Sequence, residues 1–293
     1  MIGLILAGGT GSRLSPLTKV TSKQLLAIYD KPMIYYPITT LMFAGIRKFL
    51  IVVTPKTLEN YRELLGDGTN WGIEIEYLIQ EAPKGIAQSL QLVPKKYHEE
   101  SCILILGDNL FYGMGLGSSL KSTFNGSGSI IFAHEVANPS DYGVINFDEE
   151  MKPLDIVEKP LNPLSNFAIP GLYYFDQNCY ELAKTLIPST RGELEITDLI
   201  RVYLKNKALR VKVLARGTAW LDTGSPENLL SAANFVKVVE DRQGMKIGCP
   251  EEVAFREGLI DEAQFTKLID AYPEGDYRKY LKKIRKELNS PQL

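Results

Sequence analysis

Residues 2–7 read IGLILA, an unbroken apolar run that stops at Gly8-Gly9. Such a run, with no polar alternation, suits a strand covered on both faces, so the chain must supply layers on either side of a sheet. The pattern recurs as FLIVV (Phe49 to Val53), IEIEYL (Ile73 to Leu78), CILIL (Cys102 to Leu106) and SIIFAHEV (Ser129 to Val136). Between these runs lie MIYYPITTLMFAG, TLENYRELL, GIAQSLQLVPKKY and GSSLKSTF, each with helical spacing of its apolar residues. The alternation predicts an α/β fold with a mostly parallel sheet flanked by helices. Past residue 140 the rhythm changes to YGVINF, LDIVEKP and AIPGLYYF, which predicts an antiparallel portion, followed by helices over 178–186 and 195–206. From Ser225 onward the text is helical (SPENLLSAANFVKVVED, EEVAFREGL, DEAQFTKLIDAY, DYRKYLKKIRKEL), with no linker rich enough in Pro, Gly or Ser to mark an independent domain.

With 293 residues, 45% of them hydrophobic, the chain can bury a core of the size this fold needs. Lys and Arg number 33 against 35 Asp and Glu, without a basic run or acidic tail, which argues against nucleic acid and anionic membrane as partners and for small molecules. Cys102, Cys179 and Cys249 are odd in number and widely spaced, as expected of small buried hydrophobes and not of disulfides. The LILA stretch is too short for a signal core, so the expected location is the cytoplasm. His98 and His134 sit in no motif.

A glycine loop after a buried strand turns backbone N–H groups towards an anion. This loop is neither of the two familiar kinds. Counting from Gly9 and Gly11 puts Leu14 where a dinucleotide fingerprint has its third glycine, and the second strand ends at Val53-Thr54 without an acid. A Walker loop would end in Gly-Lys-Ser/Thr, where this chain has Ser12-Arg13. What remains is a loop carrying its own cation, Arg13, followed by Lys23; two fixed charges there suit a triphosphate, although a tight turn with two solvated cations would read the same.

CILILGDNLF carries Asp108 to the carboxyl end of a parallel strand, where open α/β sheets bind ligands, and WLDTGSPENL is expected to place Asp222 likewise, before a helix capped at Ser225. Two such aspartates suit a magnesium ion that keeps its waters and shares phosphate oxygens; helix caps or turns are the plain alternative. Glu158-Lys159-Pro160 ends a further strand, offering a compact cation for phosphate and an acceptor for sugar hydroxyls, or else a surface ion pair.

Taken together these residues resemble the sugar nucleotidyltransferases, in their thymidylyl-transferring branch. The family signature GGxGxRLxPxT appears as Gly8 to Thr18, and its thymidylyl-type continuation as SKQLL-IYDKPMIYYP, from Ser22 to Pro37. Then follow, in family order, QxxPxGIAQS (Gln80 to Ser89), LGDN (Leu106 to Asn109), SDYGV (Ser140 to Val144), VEKP (Val157 to Pro160), RGELEITD (Arg191 to Asp198) and AWLDTG (Ala219 to Gly224). Ala27 replaces a common proline, which should alter loop stiffness and little else.

The resemblance implies a Rossmann-like sheet of the nucleotide-diphospho-sugar transferase type. Residues 1–224 would form the nucleotidyltransferase core (a nucleotide half over about 1–110 and a sugar half over about 111–224), and 225–293 a helical region for packing, oligomerisation and a regulatory site. It implies that dTTP and glucose 1-phosphate bind side by side and that the sugar phosphate attacks the α-phosphorus in line. Asp108 and Asp222 would hold Mg²⁺, and Arg13, Lys23 and Lys159 would be the catalytic cations, the first two on the departing pyrophosphate and the third on the sugar phosphate. The nucleotide site would comprise Gly8, Gly9, Gly11, Arg13, Lys23, Asp108 and, at the base, Gln24, Gln80 and Gly85. The sugar site would comprise Asn109, Tyr142, Gly143, Glu158, Lys159, Ile169 and Tyr173. By the same resemblance the protein is a homotetramer whose second site, at Tyr112, Gly113, Arg216, Glu252 and Arg256, takes dTDP-rhamnose as feedback inhibitor; Gly115 to Gly117, where some relatives carry larger polar residues, puts that ligand in question. The rival readings are a UTP-using enzyme, a silent homologue that senses nucleotide sugars, and a nicotinamide-dependent oxidoreductase, the last opposed by the missing glycine and ribose acid.

Overall fold

The computed structural model describes residues 1–9 and 11–289. The chain begins with β1 (Ile2–Leu6), passes the glycine loop, and makes a small hairpin, β2 (Ala27–Ile28) and β3 (Lys31–Pro32), before α1 (Tyr35–Phe43). It continues through β4 (Lys48–Val53), α2 (Leu58–Leu65), β5 (Glu74–Ile79), α3 (Gln88–Gln91), β6 (Cys102–Leu106), β7 (Asn109–Tyr112), α4 (Leu116–Thr123) and β8 (Ser129–Glu135). Next come β9 (Gly143–Phe147), β10 (Pro153–Glu158), β11 (Phe167–Ala168), β12 (Leu172–Phe175), α5 (Cys179–Lys184), α6 (Ile196–Lys205), β13 (Leu209–Val213) and β14 (Ala219–Asp222). The last four elements are helices: α7 (Pro226–Gln243), α8 (Pro250–Arg256), α9 (Glu262–Ala271) and α10 (Asp276–Asn289).

Strands β5, β4, β1 and β6 lie side by side and parallel, and the mixed ten-stranded sheet continues through β12, β8, β11, β9 and β10, with β13 beside β8. The expected fold class is the one observed. One detail differs from the expected run of parallel neighbours: β12 inserts antiparallel between β6 and β8. Successive side chains of each strand point to opposite faces, so Ile5, Ile51 and Ile103 join one apolar cluster while Leu4, Leu50 and Leu104 join the other. All three cysteines are buried and free.

The helix expected over 85–97 is only α3 and a 3₁₀ turn at Lys95–Tyr97, because Pro94 has no N–H to continue it and Gly85 is left-handed (φ 99°). Helices α8, α9 and α10 are not a separate layer. Their Val253, Phe265, Leu268, Leu281 and Ile284 share a cluster with Tyr35, Leu41 and Trp71. Among the described residues no helix is long and apolar enough to cross a membrane.

Candidate active site

The loop after β1 is short of side chains where it leaves the sheet. A Cβ on Gly9 would meet nothing within 4 Å, and one on Gly8 would stand 2.6 Å from Gln80 Oε1. Gly11 is left-handed (φ 60°), and its carbonyl accepts a hydrogen bond from Thr18 Oγ1 at 2.8 Å. Thr10 of the signature lies outside the described residues. Arg13 follows in a 3₁₀ turn (Ser12–Leu14), exposed, with its guanidinium against Gly224: a Cβ there would stand 3.2 Å from Nη2.

Lys23 begins a later 3₁₀ turn (Lys23–Leu25) and is only 7% exposed. Its Nζ donates to Asp108 Oδ2 at 2.5 Å, while Asn109 Nδ2 donates to Oδ1 at 2.9 Å. A lysine so nearly buried requires an opposite charge, and Asp108 supplies it at the carboxyl end of β6.

Asp222 is brought there differently from the expectation. Its strand, β14, does not belong to the main sheet; it pairs antiparallel with β7 in a separate ribbon, with Asp222 opposite Asn109. The ribbon exists because β7 follows the Asp108 turn directly, and Thr223 closes it by donating from N and Oγ1 to the Asp108 carbonyl at 3.1 and 2.9 Å. The two aspartates therefore reach one place from two sheets. Burial alone would raise the Asp222 carboxyl. Donation from Tyr142 Oη (2.5 Å), Gly224 N (2.9 Å) and Asn228 Nδ2 (3.0 Å), with the charge of Lys23, outweighs it and holds the group below its ordinary value. Ser225 caps α7 as expected, accepting from Asn228 N, with Pro226 at the first helical position.

Two hard carboxylates with no third acidic, histidine or cysteine ligand beside them, among the described residues, suit a divalent ion that draws its remaining ligands from water and phosphate. The donor set fits Mg²⁺ in that sense.

The base-side residues are buried, and not solvated as a lone glutamine would be. Gln24 Oε1 accepts from Ser22 Oγ at 2.8 Å, and Ser22 Oγ lies 2.8 Å from Tyr61 Oη. Gln80 Nε2 donates to Gln88 Oε1 at 2.8 Å. Gly85 needs its missing Cβ for another chain segment: that atom would stand 2.4 Å from the Leu194 carbonyl oxygen. Leu194 N donates to Lys84 O at 2.7 Å and Ala87 N to Leu194 O at 3.1 Å, clasping the two halves together.

On the other side Gly143, Glu158 and Ile169 meet; a Cβ on Gly143 would lie 3.4 Å from Glu158 Oε2 and 3.5 Å from Ile169 Cδ1. Burial pushes the Glu158 carboxyl up, Glu195 adds to the shift, and Arg191 at 3.4 Å opposes it. Lys159 is exposed and left-handed (φ 42°), an unusual conformation for a side-chain-bearing residue, anchored by its N–H to Tyr142 O at 3.0 Å. Tyr173 is buried on β12 within the fields of both Glu158 and Asp108, its hydroxyl pushed up first by burial. Asn109 is already committed: Oδ1 accepts from Gly171 N (3.0 Å) and Trp220 Nε1 (2.6 Å).

Sequence reasoning missed Ser22, Gln88, Arg191, Thr197, Trp220 and Asn228. The Thr197 hydroxyl is buried beside Gly143 and Glu158 without a hydrogen bond of normal geometry, and Trp220 packs 4.9 Å from the Tyr142 ring. All of them lie inside stretches quoted from the sequence, Asn228 in WLDTGSPENL and the others in the family blocks, which was the available signal.

Apart from these residues, a cavity of about 730 Å³ lies between α1, α4 and α8. Tyr112, Gly113, Glu252 and Arg256 line it, with Lys246 and Gly115 to Gly117; Arg216 is not among its lining residues.

Residues 2–238 match a family model described as nucleotidyl transferase. A glucose-1-phosphate thymidylyltransferase of Mycobacterium tuberculosis (strain CDC 1551 / Oshkosh) is 51% identical over 281 residues, covering 96% of this chain and 98% of that protein. Among solved structures, a candidate glucose-1-phosphate thymidylyltransferase from Bacillus anthracis, in complex with sucrose, superposes with a TM-score of 0.74 at 35% identity, over 80% of this chain and 95% of that one. A UDP-glucose pyrophosphorylase complexed with UDP-glucose follows at 0.71 and 28% identity, over 81% and 98%.

Proposed function

The chain belongs to the nucleotidyl transferase family, and on that premise we propose that it transfers a thymidylyl group from dTTP to glucose 1-phosphate, forming dTDP-glucose and pyrophosphate. The observation that carries this reading is the convergence of Arg13 and Lys23 on Asp108 and the Asp222 turn, with two buried glutamines on one side and Glu158-Lys159 on the other. The task is to bring two anions into contact.

Asp108 and Asp222 would hold Mg²⁺, which supplies Lewis-acid polarisation of phosphate oxygens. The chain's own residues do the rest. Lys23 exchanges Asp108 for phosphate oxygen and Arg13 covers the pyrophosphate from the solvent side, so charge on the leaving group is neutralised as it develops. Lys159 positions the sugar phosphate, its backbone N–H being held by the Tyr142 carbonyl beside Glu158. A sugar phosphate is already ionised at neutral pH, so no general base is required. Gln24 and Gln80 read the base, and Glu158, with Gly143, Ile169 and Tyr173, receives the sugar. The cavity between α1, α4 and α8 would serve feedback regulation by dTDP-rhamnose in a homotetramer, with Tyr112, Gly113, Glu252 and Arg256 as its contacts and Arg216, which does not line it, left outside the site.

Pyrophosphate release with glucose 1-phosphate and each of dTTP, UTP, dCTP and ATP tests the reading. The highest kcat/KM is expected with dTTP. Highest activity with UTP would replace the thymidylyl assignment, and no release with any of them would leave a silent nucleotide-sugar sensor.

A further inference from the structure

We propose that Gln88 is a specificity-determining positioning residue: it locks the Gln80 amide with its oxygen towards the base, so the pocket accepts a pyrimidine bearing N3–H and turns cytosine away. The inference rests on the base-site reading above and adds to it the residue that sets the site's hydrogen-bond polarity.

A carboxamide can be turned over, exchanging donor and acceptor, so a glutamine alone specifies nothing. Here a chain of contacts removes that freedom. The backbone N–H of Lys84 donates to Gln88 Oε1 at 2.8 Å. A backbone N–H has no acceptor capacity, so the atom it meets has to be the oxygen. The same Oε1 lies 2.8 Å from Gln80 Nε2, and an oxygen there demands a donor, so Gln80 must present its NH₂ group to Gln88. Gln80 Oε1 is thereby turned the other way, to the position 2.6 Å from where a Cβ on Gly8 would stand. Gln80 is 4% exposed, and its amide is held to Gln88 through Nε2, which leaves Oε1 on the Gly8 side. The Lys84 N–H is itself held in place, since Lys84 O accepts from Leu194 N at 2.7 Å and Ala87 N donates to Leu194 O at 3.1 Å, one on each side of Gly85.

An amide oxygen fixed in that direction can accept a hydrogen bond from a base but cannot donate one. Thymine and uracil offer N3–H; cytosine offers a lone pair at N3, which would face the lone pairs of Gln80. Reading cytosine would require the Gln80 amide to turn over, setting its oxygen against Gln88 Oε1. Gln24 complements this polarity, for its Oε1 is occupied by Ser22 Oγ and its NH₂ group remains for a ring carbonyl.

The test compares kcat/KM for dTTP and dCTP at saturating glucose 1-phosphate in the wild type, Gln88→Glu, Gln88→Leu, Gln88→Met and Gln80→Ala. Gln88→Glu keeps an acceptor oxygen for both donors and should keep the dTTP:dCTP ratio within a few fold. Gln88→Leu, or Gln88→Met if the leucine variant does not fold, frees the Gln80 amide and should lower the ratio by about tenfold or more. Equal losses with both nucleotides, the ratio unchanged, would mean a purely structural Gln88 and overturn the proposal. If Gln80→Ala collapses the ratio and Gln88→Leu does not, the lock alone is wrong. If Gln80→Ala leaves the ratio intact, the base-site reading fails and the lock falls with it.

Discussion

Glu158 is held above the ordinary glutamate value chiefly by burial, then by Glu195, against the pull of Arg191. As a sugar-hydroxyl acceptor it works best ionised. As pH falls, the raised value means that Glu158 takes up its proton earlier than an ordinary glutamate, near 4.3, would. The KM for glucose 1-phosphate should therefore begin to rise on the acid side above that value, and Glu158→Gln should have a higher KM that lacks this limb. The substrate's own phosphate titrates near pH 6 and affects both proteins alike, so the quantity to measure is the ratio of their KM values against pH. A ratio flat from pH 8 to pH 4.5 would remove Glu158 from sugar binding. At this scale Arg13, Lys23, Asp108 and Asp222 were legible only in combination, because each charge alone reads equally well as a turn, a helix cap or a solvated cation. Gln88 and Thr197 were not legible, because a polar residue on a helix looks the same in sequence whether it holds a neighbour's amide or meets water.

Helix α8 places Glu251, 1% exposed, where it accepts from Trp71 Nε1 (3.3 Å), Tyr272 Oη (2.8 Å) and Tyr277 Oη (2.7 Å). These donors belong to three separate segments: a 3₁₀ turn before β5, the end of α9 and the first turn of α10. One carboxylate thus sets how the helices seat against the sheet. Glu251→Ala removes the carboxylate acceptor from the buried Trp71 and the partly buried Tyr272 and Tyr277 together, and should lower unfolding free energy by about 3–5 kcal/mol in urea titrations. A loss under about 1 kcal/mol would show that the helices are seated by apolar packing alone. Elements were legible when long and periodic, as α7 and the central strands were. The β7–β14 ribbon was not, since NLFY and AWLD are four residues each, too short to show a period, and their pairing spans more than a hundred residues of chain. That is also why Asp222 was expected at the end of a parallel strand.

The relation between the catalytic segment and the C-terminal helices is a property of the whole molecule. Lys31, in the hairpin that follows Lys23 and Gln24, is nearly buried; its Nζ pairs with Asp30 Oδ1 at 2.5 Å and with Glu240 Oε1 of α7 at 2.8 Å. Lys246 closes the group by bonding both Asp30 and Glu240 Oε2, and its own backbone N–H donates to Tyr280 Oη of α10 at 3.0 Å. Breaking a buried ion group by removing one member leaves an uncompensated charge, which costs about 3–5 kcal/mol, comparable to a large part of a domain's stability. A chain ending at Gly244 would lose Lys246 and also strip Val253, Phe265, Leu268, Leu281 and Ile284 from the cluster that covers Tyr35, Leu41 and Trp71. Such a truncation should be insoluble or lack a cooperative melting transition, even though it keeps every residue assigned here to phosphate, base and sugar. Circular dichroism melts of the truncated and full-length chains decide the point. A truncated protein that melts cooperatively near the full-length Tm would make the last helices an appendage; the buried ion group predicts instead that the hairpin positioning Lys23 and Gln24 cannot be held without them.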